Sequence, residues 1–322
     1  MFIKKCVLIV NRVPADARGG VEAVNFAEKI PLPKTFRVRT EITVLIEQLA
    51  GRPDAFDKLE KSLVGVSKEI LAASLVECGI LPERFDHDSS EEKLWAKFSD
   101  ILLAKALGFI GMEARVLGAR GNSADVFAKA ENYSLVGDAK TFRLSRTAKN
   151  QKDFKVNALD SWRQGNHYAL LVCPLLPFPT QRSQIYQQAI ERNVSLLSYT
   201  HLHFLMAHFE GQNLSEIWET GRILSQTIPP ENRQLAVVYW QKMDETVCRV
   251  VHSDLKKLTE FKQQEVDKTR AIGEEGIRFW QEKIENYRQL GREEAIGRLI
   301  RAEKLESKIQ TIRRFINQST ER

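Results

Sequence analysis

Cysteine is scarce in this sequence. Its four thiols, Cys6, Cys78, Cys173 and Cys248, lie far apart and make no CxxC pair or metal-finger spacing. That excludes a disulfide framework and a cysteine-ligated zinc module, and leaves reduced, mostly buried side chains without a chemical role. Long apolar runs are missing too: no stretch approaches the roughly 20 residues that a membrane span needs. The run Cys6-Val7-Leu8-Ile9-Val10, preceded by Lys4-Lys5, is closed by Asn11-Arg12. It falls short of the roughly 7–15 residues of a secretory core and reads as a short strand. A cytoplasmic protein is expected. There is no internal repeat and no low-complexity tract, and proline is absent beyond Pro230.

What is present describes a globular chain with a sizeable core. At 322 residues and 43% hydrophobic, it is long enough for one large domain, or for a catalytic domain with a helical appendage. The formal charge of +6 is a weak pointer to an anionic partner, because many proteins are this basic. Its distribution says more. Residues 140–155 hold Lys140, Arg143, Arg146, Lys149, Lys152 and Lys155 against Asp153 alone, a net +5 and nearly the whole excess.

The pattern of elements places the chemistry. Residues 1–55, broken by Gly19-Gly20, Pro31-Leu32-Pro33 and Pro53, read as an accessory segment, and 56–78 reads as helical. Ser89-Ser90-Glu91-Glu92 is a capping box, with Ser89 as cap and Glu92 bonding back to its amide. The helix it starts runs to about Gly108, with Leu94, Trp95, Phe98, Ile101 and Leu102 on one face. Asp100 then falls on the exposed face, paired with Lys93 or Lys97. Strands follow at 114–117, 124–129 and 134–140, a helix at 147–163, a strand at 168–173, a helix at 182–192, a strand at 194–198 and a helix at 201–209. The fold class is α/β, a mixed β-sheet flanked by helices in the order αβββαβ. Residues 232–318 read as helices, one of them ending at Gly291. Leu305, Ile309, Ile312 and Ile316 form a stripe that suits packing on the chain's own domain or a dimer contact.

The informative stretch is Gly121-Asn122-Ser123-Ala124-Asp125-Val126-Phe127, followed by Leu135-Val136-Gly137-Asp138-Ala139-Lys140. If Glu131-Asn132 are the turn of a tight hairpin, facing positions sum to 263 and Asp125 lies opposite Asp138. Side chains alternate along a strand, so Asp138 and Lys140 share a face while Ala139 turns away. Two carboxylates and one ammonium then converge. Facing carboxylates are hard oxygen ligands for Mg²⁺, which polarises a phosphate and acidifies water. Lys140 can orient that water and stabilise charge on the phosphate, and the carbonyl of Ala139 can complete the metal shell. A bare D…D-x-K pattern is common among strand ends and surface lysines. The hairpin register, the apolar strands and the basic segment that follows set this one apart. In that segment, arginine and lysine alternate with Ser, Thr, Asn and Gln, which can contact phosphates and base edges. His201, His203 and His208 lie on an apolar helix without metal-site spacing, and Glu92 is explained by its cap.

The run from Gly137-Asp138-Ala139-Lys140-Thr141-Phe142-Arg143 to Phe154-Lys155-Val156 resembles the HindIII type II restriction endonucleases, of the PD-(D/E)XK nuclease superfamily. So do Ala158-Leu159, Trp162-Arg163, Ser183-Gln184-Ile185, Ile80-Leu81-Pro82-Glu83, Arg120-Gly121-Asn122 and Arg292-Glu293-Glu294-Ala295-Ile296. The likeness runs from about residue 56 to the end. It implies a nuclease core over 56–210, and a helical region over 211–322 that serves as a dimer or DNA-clamping element. It further implies Mg²⁺-dependent hydrolysis of double-stranded DNA at a short palindrome by a homodimer. The implied target is AAGCTT, cut after the first A to leave 5′ overhangs, with a DNA methyltransferase as functional partner. Asp125, Asp138 and Lys140 take the catalytic positions, with Asp125, Asp138 and Ala139 at the metal. Asn122, Arg143, Arg146, Lys149, Asn150, Lys152 and Lys155 are the candidate DNA contacts. Ala124 stands where the superfamily often has proline. The hairpin is shorter than the family's by about two residues, an even change that keeps the register. Two other readings are a structure-selective repair or recombination nuclease, which would cut without site preference, and an inactive DNA-binding relative, which would not cut at all.

Overall fold

The computed structural model describes residues 38–118, 123–146, 151–303 and 305–310. Cys6, the expected strand near 7–10 and the Gly and Pro breaks up to Pro33 lie outside the described residues. Three helices come first: α1 (Val38–Leu49), α2 (Ala55–Ser62) and α3 (Lys68–Cys78). One helix was expected over 56–78. Two form because the chain turns at Gly65, whose φ of 72° is open to glycine at no cost. Helix α1 falls in the segment read as accessory, yet Val38, Ile42 and Ile46 are part of the main core. Its first turn is anchored by Arg39, which donates to the carbonyls of Glu77 (3.0 Å) and Ile80 and stacks on Trp95.

Helix α4 (Ser90–Phe109) is the axis of the fold. Ser89 caps it, accepting from the Glu92 amide at 3.1 Å. The return bond differs from expectation: Glu92 Oε2 accepts from the amide of Asp88 at 2.6 Å. Asp88 adopts a φ of 61°, and the Ser89 amide is already bonded to the carbonyl of Asp86. Helix α4 contacts α1, α2 and α3 on one side and the sheet on the other. It is therefore buried on more than the one face its apolar spacing marks, and Asp100 is inside with Leu103 and Leu107.

The sheet has five strands in the order β1 (Glu113–Val116), β2 (Val126–Lys129), β3 (Ser134–Ala139), β4 (Tyr168–Cys173) and β5 (Val194–Ser198). The first three are antiparallel, and β3, β4 and β5 run parallel. Strands β4 and β5 are buried almost throughout, and β4 is a nearly continuous apolar run, because helices cover both faces of a parallel sheet. The crossover between β3 and β4 was expected as one helix over 147–163. Its described part is two, α5 (Gln151–Phe154) and α6 (Val156–Trp162), separated by Lys155 at φ 51°. Phe154 and Val156 are both buried. Residues two apart on a helix point nearly opposite ways, so only a break lets both reach the core.

Helices α7 (Gln184–Arg192) and α8 (Tyr199–His208) complete the αβββαβ core, and α9 (Ser215–Trp218), α10 (Thr220–Thr227), α11 (Ala236–Val250), α12 (Leu255–Arg288) and α13 (Arg292–Ala302) follow. Proline-free sequence lets α12 run 34 residues. Its first half is tied in: Leu258, Thr269 and Ile272 are buried, and Glu265 accepts from the amide of Leu175 (2.6 Å) and from Thr200 Oγ1. At the same junction Asp244 of α11 accepts from His201 Nε2 (2.8 Å) and Lys262 Nζ (2.5 Å). The second half of α12 exposes Ile277, Trp280, Ile284 and Tyr287. Gly291 does not end this helix, since α12 stops at Arg288 and Gly291 is the N-cap of α13. Of the expected stripe, Leu305 and Ile309 are exposed, while Ile312 and Ile316 lie outside the described residues. Among the described residues no helix is long and apolar enough to cross a membrane.

Candidate active site

The β2–β3 hairpin turns at Glu131-Asn132, with the Ala130 amide bonded to the carbonyl of Tyr133 at 2.8 Å. Val126 pairs with Gly137 and Phe127 with Val136, the register in which facing positions sum to 263. One step further, the amide of Asp125 donates to the carbonyl of Gly137 at 3.1 Å, which sets Asp125 beside Asp138. The carboxylate of Asp138 is 1% exposed, and Lys140 Nζ lies 2.6 Å from its Oδ1 and 2.5 Å from its Oδ2. The Lys140 main chain is held from both sides. Its amide donates to the carbonyl of Val172 (2.7 Å), and its carbonyl accepts from the Tyr199 hydroxyl (3.2 Å). The Ala139 side chain packs into the core on the opposite face.

A third acid enters from α4. Gly137 makes this possible: a Cβ there would lie 3.1 Å from Leu103 Cδ2, so its absence lets α4 close on the hairpin. Asp100, one turn before Leu103, then meets the strand carboxylates, and oxygens of Asp100, Asp125 and Asp138 lie within 4.8 Å of one another. Asp100 pairs with Lys97 as the spacing suggested, but buried rather than on an exposed face. Lys97 Nζ also lies 2.9 Å from Asp125 Oδ1. The sequence carried a signal for Asp100. It is a lone acid in Phe98-Ser99-Asp100-Ile101-Leu102-Leu103, where a helix covered on two sides leaves no exposed face for it.

Three carboxylates against two ammonium groups leave the cluster negative and partly dry. Burial, then the charge of Asp125, pushes the Asp100 carboxyl up to about 7. Burial likewise raises Asp138, against the pull of Lys140. Lys97 is raised because Asp100 and Asp125 outweigh its own burial. The cluster opens to solvent at Asp125, which is 32% exposed, and at Lys97, which is 31% exposed. The residues fit a divalent cation: all three acids offer hard oxygens, and a dipositive ion offsets the burial and mutual repulsion that raise the Asp100 and Asp138 carboxyls.

The other candidate residues are more dispersed. Arg143 turns inward, its guanidinium donating to the carbonyls of Glu83 (3.2 Å) and Phe85 (2.5 Å) and approaching Glu92 (3.5 Å). Glu92 is thus held at the surface and is not one of the three clustered acids. Glu83 itself accepts from the amide and hydroxyl of Ser145 (2.9 and 2.6 Å) and from Trp280 Nε1 (3.1 Å). Arg146 is exposed and pairs with Asp153 at 2.6 Å. Lys155 reaches over the ring of Trp162. Asn122, Lys149, Asn150 and the side chain of Lys152 lie outside the described residues. His201 is used by Ser198 and Asp244, His203 packs on Phe261, and His208 bonds the carbonyl of Phe204. Cys78, Cys173 and Cys248 are buried thiols.

The chain is 35% identical over 284 residues to "Type II restriction enzyme HindIII" of Haemophilus influenzae, covering 84% of this chain and 93% of the relative. The sequence pattern of the HindIII restriction endonucleases matches residues 39–316, so the family likeness begins within α1 rather than near residue 56. By the extent of that match and by its identity to a curated member, this chain belongs to the HindIII restriction endonuclease family.

Proposed function

We propose that this restriction endonuclease hydrolyses phosphodiesters of double-stranded DNA with Mg²⁺, at a short palindrome. The observation that carries this reading is the convergence of Asp100, Asp125 and Asp138 within 4.8 Å, with Lys140 on Asp138. These three acids, with the carbonyl of Ala139, would hold the ion. When bound, it supplies Lewis-acid polarisation of the scissile phosphate and acidifies nearby water. Lys140 orients the attacking water and stabilises the charge that builds on the phosphate oxygens. Its main-chain bonds to Val172 and Tyr199 keep the ammonium in place, so little reorganisation is needed at the moment of reaction. The segment 146–155, with Asn122, supplies phosphate and base contacts beyond the site, while Arg143 is taken up by the Glu83 and Phe85 carbonyls.

The target we infer is AAGCTT, cut after the first A to leave 5′ overhangs, in a cell whose methyltransferase protects that sequence; membership of the family supports this reading. Among its described residues each chain carries one such cluster, and a two-fold dimer would set identical clusters at symmetry-related phosphates of a palindrome. Digestion of phage DNA with Mg²⁺, followed by sequencing of the ends, tests the reading. One fixed 5′ overhang at one palindrome is expected, with no cleavage in Ca²⁺ or EDTA and a sedimenting mass about twice the 36.9 kDa chain. Brisk cutting in EDTA, heterogeneous ends or a monomer that breaks both strands would overturn it.

A further inference from the structure

Lys97 is the charged group of the cluster for which the hydrolysis described above has no task. Its Nζ bridges Asp100 Oδ2 (3.0 Å) and Asp125 Oδ1 (2.9 Å). It therefore stands between two of the three carboxylates a cation would use. A Mg²⁺ ion binds its oxygens at about 2.0–2.1 Å, and an ammonium cannot keep both contacts beside it without strong like-charge repulsion. Nor is Lys97 fixed in place: it is 31% exposed, on the side where the cluster meets solvent, and its four-carbon stem can swing.

We propose that Lys97 is a resident counter-ion. It neutralises Asp100 and Asp125 in the metal-free enzyme, must leave them for the divalent ion to bind, and is then received by a phosphate of bound DNA. The inference rests on the metal-site reading above and deepens it. Two consequences follow from the charges. Metal binding to the DNA-free enzyme is weak, because Lys97 competes for the same oxygens. DNA strengthens it, because a phosphate accepts the displaced ammonium, and by linkage the metal strengthens DNA binding by the same factor.

Calorimetric titration of the full-length protein with Ca²⁺ at pH 8, without DNA, reads this directly, because no turnover is involved. Lys97→Met keeps the apolar stem without the charge and should bind Ca²⁺ at least tenfold more tightly than the wild type. Lys97→Gln, a second neutral variant, should do the same, while Lys97→Arg should stay near the wild-type value. Duplex DNA should tighten Ca²⁺ binding to the wild type and do so far less in Lys97→Met. Equal or weaker Ca²⁺ binding by folded Lys97→Met and Lys97→Gln overturns the proposal. If that binding is still lost in Asp138→Asn, the metal site stands without a counter-ion role for Lys97. If Asp125→Asn and Asp138→Asn bind Ca²⁺ as the wild type does, the metal site falls, and this inference with it.

Discussion

The acid cluster on the hairpin and the network joining α8, α11 and α12 are both built from aspartate and lysine taken out of water, yet they are balanced in opposite ways. In the network, burial alone would push Asp244 up, but bonds from His201 and Lys262 outweigh it and hold the carboxyl below its ordinary value. In the hairpin cluster the same penalty is not offset, and Asp100 rises to about 7. A matched buried pair joins three helices and leaves nothing over. An unmatched one leaves negative charge beside an opening, which is a place for a cation.

The sharpest way to break this contrast is at Lys140. Lys140→Ala should lower cleavage by about 10²–10³-fold or more, as loss of a charge stabiliser does, while filter binding of specific DNA in Ca²⁺ stays within a few fold. Near-normal turnover would remove Lys140 from the chemistry. The network should respond in the other currency. Asp244→Ala leaves His201 and Lys262 without their partner and should cost about 3 kcal/mol of stability, near the lower end for a broken buried pair because Asp244 keeps some solvent contact. Chemical denaturation should detect that loss, with cleavage per folded molecule unchanged; a loss of activity without loss of stability would blur the distinction.

Asp100 links the two measures through pH. In the metal-free folded protein it binds a proton that the unfolded chain releases at a lower pH. Stability therefore falls as pH rises from about 4 to about 7. Asp100→Asn should flatten that decline. It should melt several degrees above the wild type at pH 8 without divalent ions, and alongside it at pH 4. The same proton opposes the cation, so cleavage should weaken below about pH 7. Identical pH–melting curves for the two proteins would count against a buried Asp100. The smallest effect is expected outside both clusters: Lys155→Ala should weaken all duplexes alike and lower the salt slope by roughly one unit.

The hairpin was legible in the sequence because its turn and register are local. Glu131-Asn132 fixes which residues face each other, and the alternation of a strand then puts Asp138 and Lys140 together. Strands β4 and β5 were equally plain, as short apolar runs between turns. Asp100 was missed because its place depends on what covers α4. A period of 3.6 marks one apolar face and cannot say that sheet and helices enclose the helix on opposite sides. The break at Lys155 had the same cause, since a left-handed residue between two buried neighbours follows from tertiary packing. Arg143 read as a phosphate ligand on composition alone. Its bonds to the Glu83 and Phe85 carbonyls come from a loop some sixty residues away in sequence.

Helix α12, anchored by Glu265 at one half and largely exposed among the described residues at the other, implies a gradient in time. Amides near Leu258 and Ile272 should exchange with deuterium only when the whole protein opens, because both side chains are buried and Glu265 between them is bonded to Leu175 and Thr200. Those around Ile284 and Tyr287 should exchange through local fraying in a lone chain, with half-lives orders of magnitude shorter. If a second copy covers that apolar stripe, the gradient should flatten as protein concentration rises, so the exchange rate at one end of one helix becomes a clock for assembly.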